Sequence, residues 1–220
     1  MPDLLETKDL FDLGHTRAAD HLRKFAWPWQ ALDGIGALIL ELGRGLGDDF
    51  LEVSPQVWVH KTAAVAPTAY LGAPCIIGAG TEVRHCAFVR GSALVGDGCV
   101  VGNSVELKNV ILFDDVQVPH FNYVGDSILG YKSHMGAGAV TSNVKSDKTL
   151  VVIHGTREIP TGLKKVGAML GDGVEVGCNS VLNPGTVVGK NTNIYPTSCV
   201  RGVVPANSIW KTGGVIVEKE

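Results

Sequence analysis

Residues 59–101, VHKTAAVAPTAYLGAPCIIGAGTEVRHCAFVRGSALVGDGCVV, decide the fold. Stepping by six from Val59 meets Val65, Leu71, Ile77, Val83, Val89, Val95 and Val101, a branched aliphatic at every step. Four places after each stands Ala63, Ala69, Cys75, Thr81, Ala87, Ala93, Cys99 or Val105, all small. Two coupled periods of this kind mark a repeat in which one unit is a short strand and a turn. The physics is that of a triangular coil. The aliphatic points inward from each side, and the small residue sits where the inside of a corner is tight. Glycine follows the aliphatic (Gly72, Gly78, Gly96, Gly102), where the chain is expected to bend. Three sides complete a coil, and coils stack at about 4.8 Å, the strand spacing of a sheet, around one continuous core. The expected fold class is all-β, a parallel β-helix of hexapeptide repeats.

A second run reads Leu170, Val176, Leu182, Val188, Ile194 and Val200, with Val174, Ser180, Thr186, Thr192, Ser198 and Val204 at the small position. Gly171, Gly177 and Gly189 again follow the aliphatic. Between the runs the register slips to Leu107, Leu112, Val118, Val124, Leu129 and Met135, so two coils carry five-residue sides. Residues 142–162 leave the pattern, with Lys145, Asp147, Lys148 and Arg157 among them. A polar excursion from a rigid stack is expected to be a binding loop.

Ahead of the column, 16–26 (TRAADHLRKFA) and 29–43 (WQALDGIGALILELG) show helical spacing, with Leu32, Ile35, Ile39 and Leu42 on one stripe and Pro28 between the segments. Thr16, or Asp9 upstream, is placed to cap the first. The segment is expected to cover the open end of the column, where strand edges would be bare. The chain divides into an α-helical N-terminal cap (1–52), a β-helix (53–210) and a C-terminal tail (211–220).

The 220 residues carry a formal net charge of -3, from 19 basic and 22 acidic side chains. That balance excludes a general nucleic-acid or anionic-membrane surface, which needs a basic excess. Any bound anion must meet a few placed cations. The five cysteines, Cys75, Cys86, Cys99, Cys178 and Cys199, are odd in number and form no CxxC pair, so neither a disulfide framework nor a thiolate zinc site is indicated. Cys75 and Cys99 occupy small-residue positions and read as compact core hydrophobes. The acidic N-terminus lacks an apolar signal core and no run approaches a membrane span, so a cytoplasmic location is expected.

Chemistry is concentrated in the slipped coils. His120 falls two places past an inward aliphatic, near a corner, so its ring should point outward. Imidazole ordinarily titrates near ~6.5, which suits it to accept a proton at neutral pH. Arg90 and Lys108 lie eighteen residues apart, one nominal coil, so both cations should sit on one side of the column. Two stacked cations beside a histidine suit a phosphate and a proton to be removed.

The stretches VGNSVELK (101–108), PHFNYVGDS (119–127) and MGAGAVTSN (135–143) resemble the acetyltransferase domain of bifunctional N-acetylglucosamine-1-phosphate uridyltransferase/glucosamine-1-phosphate acetyltransferases. With TGLKKVGAMLGDGVEVGCNSVLNPGTVVGKNTNIYP (161–196), they are closer still to archaeal sugar-1-phosphate nucleotidylyltransferases that carry an acetyltransferase half. The resemblance implies a left-handed β-helix, a homotrimer with sites between subunits, and acetyl-CoA as co-substrate with no metal. It implies His120 as the general base and Glu106 as the carboxylate that orients it. Arg90, Lys108, Tyr123 and Lys148 match ligands of the sugar phosphate, and His134 stands where the bacterial enzymes place an asparagine on the sugar. Ala137 and Asn143 match coenzyme contacts, and Cys178 replaces a serine near the coenzyme, a position where an inert core thiol is the other reading. A backbone N–H among Gly136–Gly138 is placed to hold the developing oxyanion.

The expected activity is acetyl transfer to glucosamine-1-phosphate or galactosamine-1-phosphate, without nucleotidyl transfer. GTREIP (155–160) superficially matches a nucleotide loop but lacks the strand and glycine-rich run before it. One alternative is a non-catalytic β-helix that binds a sugar nucleotide or a protein. The other is a zinc hydratase like the γ-class carbonic anhydrases, which pair two histidines five apart; no such pair occurs here.

Overall fold

A computed structural model describes residues 6–219. From Val57 onward the chain winds as a parallel β-helix with three faces. On the first, Val57–His60, Cys75–Ile77 and Ala93–Val95 stack in register, with Val57 beside Cys75 and Cys75 beside Ala93. The second carries Tyr70–Leu71, Phe88–Val89, Val140–Thr141, Val181–Leu182 and Cys199–Val200. The third carries Ala64–Val65, Glu82–Val83, Val100–Asn103, Gln117–His120, His134–Met135, Glu175–Val176, Asn193–Ile194 and Ser208–Lys211. The six-step aliphatics from Ile77 to Val101, and those from Leu170 to Val200, are buried in the column. Val65 is 36% exposed and Leu71 only half-buried, because the first coil has no coil beneath it.

The five-residue sides have a defined geometry. Glu106–Leu112 and Tyr123–Leu129 each run unbroken from the second face into the first, bending at Asn109 (φ 55) and Asp126 (φ 48). Leu107 pairs with Val89, eighteen residues back, whereas Val110 pairs with Ala93, seventeen back, so one residue is lost at that corner. A slip that sequence spacing did not show occurs near the end. Val204, expected at a small corner position, instead pairs with Val188 as an inward residue, and that coil is shortened to sixteen.

The role expected for the glycines is corrected. Gly78 and Gly102 do not adopt left-handed backbone. A Cβ on Gly78 would strike the Gly96 carbonyl of the next coil, and one on Gly102 the Pro119 carbonyl. Contact between coils demands glycine there, and the left-handed residues fall two places later, at Gly80 (φ 65) and Ser104 (φ 54).

The N-terminal segment is less regularly helical than its spacing suggests. Residues 16–26 contain only the turn Ala19–Leu22, and 29–43 splits into a 3-10 stretch, Pro28–Gly34, and a helix, Ile35–Arg44. Thr16 does not cap that turn, whose N-cap is Ala18 with no side-chain hydrogen bond; its Oγ1 accepts from the Ala18 N–H at 3.1 Å, two residues on, in the bend that leads into it. Asp9 instead belongs to an earlier turn, Thr7–Leu10, where it accepts from the Glu6 N–H. Leu32, Ile35 and Ile39 are buried as expected. They pack along the first face, against Cys75–Ile77, Ala93–Val95 and the long strands, so the segment lies on a flank and not across the open end. Asp172 and Asp114 donate their N–H groups to the Leu10 and His15 carbonyls, and Arg17 forks onto Asp97 at 2.8 and 3.2 Å. The bare strand edge at the first coil is met instead by Phe50–Ser54, antiparallel to Val57–His60. Val215–Glu218, within the expected tail, does the same for the last coil by pairing with Ser208–Lys211.

The excursion leaves after Thr141 and returns at Ala168. It holds a hairpin of Val152–His154 against Glu158–Pro160, which also accounts for GTREIP. It is not polar throughout: Val151 and Ile153 are fully buried, seated over Gly185. Among the described residues, no helix is long and apolar enough to cross a membrane.

Candidate active site

His120 ends the strand Gln117–His120 and is exposed at the corner between the third and second faces. Asn122, 2% exposed, shapes that corner: its Oδ1 accepts from the His120 N–H at 3.1 Å, and its Nδ2 donates to the Gly136 and Ala139 carbonyls at 2.8 and 3.0 Å. Phe121 between them takes a left-handed φ of 53. The His120 carbonyl accepts from the Gly138 N–H (3.0 Å) and the Ala137 carbonyl from the Asn179 N–H (2.8 Å). His120, Ala137 and Cys178 therefore occupy the same corner on three successive coils. Cys178 is exposed, which rules out the inert-core reading of its thiol. The Gly136 and Gly138 N–H groups are spent on the Val176 and His120 carbonyls, whereas the Ala137 N–H has no partner among the described residues.

Three residues past His120 the chain enters the second face at Tyr123, which pairs with Glu106. Leu107 lies beside Val89, which sets Lys108 next to Arg90 as the spacing predicted. Arg90 Nη1 donates to Glu106 Oε1 at 2.7 Å, and that hydrogen bond, with Coulomb attraction, holds the guanidinium above its usual pKa. Lys108 Nζ reaches both oxygens of Asp126 at 3.1 Å. Asn143 Nδ2 donates to Asp126 Oδ2 at 2.5 Å and to the Tyr123 hydroxyl at 3.1 Å. Burial raises the Tyr123 phenol above its ordinary pKa; the nearby Asp126 and Glu106 push the same way, against the Asn143 hydrogen bond and the Arg90 charge.

The structure thus gathers Arg90, Glu106, Lys108, Tyr123 and Asn143 into one cluster beside the His120 corner. Within one chain Glu106 serves Arg90, and the His120 ring has no hydrogen-bond partner among the described residues. His134 stands apart on the third face, Nδ1 2.8 Å from Glu175 Oε2, in a shallow depression with Asp115, Gln117 and Lys132. Lys148 is exposed on the excursion, with no hydrogen bond or ion pair to the cluster among the described residues. Asn143, expected at the coenzyme, joins the side chains expected at the sugar. Asp126 and Asn122 were missed as site residues. Both lie inside PHFNYVGDS, and the signal was a polar residue embedded in a run of inward aliphatics. Among the described residues, no three His, Cys, Asp or Glu side chains are grouped as metal ligands.

Comparison with known proteins agrees with the resemblance read from the motifs. No family model matches the chain. A protein of Sulfurisphaera tokodaii named bifunctional sugar-1-phosphate nucleotidylyltransferase/acetyltransferase is 27% identical over 189 residues, 84% of this chain and 47% of that protein. Proteins named bifunctional protein GlmU are 27% identical over 135 residues in Methanococcus maripaludis (61% of this chain, 33% of that protein) and 30% identical over 178 residues in a Nostoc species (79% and 34%). The matches span a third to about half the length of these relatives. Among solved structures, the acetyltransferase domain of PglB from Neisseria gonorrhoeae in complex with acetyl coenzyme A matches with TM-score 0.35 and 18% identity, over 77% of this chain and 58% of that one. A mutant of perosamine N-acetyltransferase from Caulobacter crescentus, in complex with CoA and GDP-perosamine, matches with TM-score 0.29 and 18% identity, over 84% and 66%.

Proposed function

We propose that this chain transfers the acetyl group of acetyl-CoA to the amine of an amino sugar 1-phosphate, glucosamine-1-phosphate or galactosamine-1-phosphate. The observation that carries the reading is the exposed His120, on a corner shared with Ala137 and Cys178 and three residues from the face that holds Arg90, Lys108 and Tyr123. The motif match to the sugar-1-phosphate nucleotidylyltransferase/acetyltransferase relatives supplies the substrate class.

The chemistry asks little of the protein beyond placement and one base. The lone pair of the neutral acceptor amine attacks the thioester carbonyl while the imidazole of His120 takes a proton from that nitrogen. The oxyanion that forms is met by the Ala137 N–H. The C–S bond breaks, the imidazolium returns the proton to the thiolate, and an acetamido sugar phosphate and coenzyme A leave. Arg90 and Lys108 hold the phosphate, Arg90 giving up Glu106 as it does so while Asp126 keeps the Lys108 ammonium in place.

The active form is inferred to be a homotrimer, as the resemblance implies; sites shared between subunits are consistent with a His120 ring that has no orienting partner among the described residues and a Glu106 committed to Arg90. Light scattering should return three times the 23.2 kDa of one chain. A second reading, a binding module without turnover, is favoured by the His120 ring, which has no hydrogen-bond partner among the described residues to orient it as a base, while Glu106 is paired with Arg90. Mixing the protein with acetyl-CoA and each amino sugar phosphate separates the two. Thiol release with an acetylated sugar of matching mass supports the transferase; tight binding without thiol release supports the module.

A further inference from the structure

Asp126 is the one acidic side chain among the described residues that is buried, at 4% exposure. A buried carboxylate is costly unless fully paired. Neither the winding of the coil nor the transfer step above requires one at this point. Its surroundings show what it does. Oδ1 accepts from Asn109 Nδ2 at 2.9 Å and from Lys108 Nζ at 3.1 Å; Oδ2 accepts from Lys108 Nζ at 3.1 Å and Asn143 Nδ2 at 2.5 Å. Asn143 passes the constraint on to the Tyr123 hydroxyl at 3.1 Å. The Asp126 carbonyl also accepts from the Gly167 N–H at 2.8 Å, where the excursion rejoins the column. Gly125 leaves room for this convergence: a Cβ there would strike the Tyr123 hydroxyl and lie 2.9 Å from Asn143 Nδ2.

We propose that Asp126 is a positioning residue whose single carboxylate fixes Lys108, Asn143 and, through Asn143, Tyr123, and so ties the side chains matched to the sugar phosphate to Asn143, the residue matched to the coenzyme. The proposal rests on the acetyltransferase reading. The three side chains reach the cluster from different coils, and without an anion between them nothing holds the Lys108 ammonium and the Asn143 amide, both donors, at adjacent positions. Asp126→Asn keeps the shape but turns one acceptor oxygen into a donor facing Lys108 or Asn143, which frees both.

The test is steady-state kinetics on the full chain, varying each substrate in turn, with Tm recorded for every variant. D126N should raise KM for acetyl-CoA and for the sugar phosphate together, each by about tenfold, with a smaller change in kcat. Lys108→Met should raise KM only for the sugar phosphate, and adding it to D126N should raise that KM no further, because residues acting through one contact are not additive. Asn109→Gly removes one donor to Asp126, suits the left-handed backbone at that position and touches no proposed ligand; both KM values should rise about threefold with Tm kept. D126N or N109G protein that lowers Tm while leaving both KM values at the wild-type level would make the role structural and overturn the proposal. Wild-type protein that releases no thiol with any amino sugar phosphate would overturn the transferase reading and, with it, this role.

Discussion

The guanidinium of Arg90 is paired with the carboxylate of Glu106 at 2.7 Å, one coil apart on the second face. The cation assigned to a phosphate and the carboxylate assigned to a histidine are therefore joined to each other. Binding of a phosphate at Arg90 would release Glu106, which lies on the coil beneath Tyr123, three residues past His120.

Arg90→Ala should raise KM for the amino sugar 1-phosphate about tenfold while changing the use of the unphosphorylated amino sugar less than about twofold, since the planar fork pairs with phosphate oxygens. Steady-state assays on the two acceptors measure it. Equal loss on both would remove Arg90 from phosphate binding.

The thiols should fall into two classes. Burial pushes Cys75 and Cys99 up to about 12, and neither offers thiolate at neutral pH. Cys86, Cys178 and Cys199 are exposed. A thiol-specific reagent should modify those three in the native protein and the other two only in denaturant. Saturating coenzyme A should slow Cys178 selectively, because it shares the corner of His120 and Ala137. Uniform protection, or none at Cys178, would move the coenzyme elsewhere.

The clasp between the N-terminal segment and the column should be acid-sensitive. Burial alone would raise Asp97, but Arg17 and the Ala79 N–H outweigh it and hold the carboxyl below its usual range. A depressed carboxyl contributes stability that is complete above its unfolded pKa and disappears as pH falls through the folded value. Asp97 is 41% exposed, so the contribution is that of a screened pair, up to ~1 kcal/mol. In urea unfolding, Asp97→Asn should be less stable than wild type at neutral pH, and the gap should close as pH falls through the folded value, below the ordinary 3.8. A gap that widens on acidification would refute this assignment.

Much of the fold was legible because inward aliphatics at fixed spacing leave few ways to wind. Ile77 through Val101 went where the six-step said, and the five-residue slips at Leu112 and Leu129 survive as continuous bent strands. What spacing could not show was contact between coils. Gly78 and Gly102 read as bends, yet their need for glycine comes from a neighbouring carbonyl eighteen or seventeen residues away. The flank position of Ile35–Arg44 was hidden for the same reason: an apolar stripe says that a helix is covered, not by which surface. At the site, the spacing placed Arg90 beside Lys108, but hydrogen-bond partners depend on side-chain reach. Glu106 turning to Arg90, Asn143 to Asp126 and His134 to Glu175 were beyond it.

The central assignment is His120 as the base, and a single variant tests it. His120→Ala should lower kcat for acetyl transfer by about 100-fold or more while coenzyme A still binds within about twofold of wild type, measured by calorimetry on the same preparation. Turnover within tenfold of wild type, with the coenzyme bound, would contradict the assignment and leave the β-helix as a scaffold whose chemistry lies elsewhere.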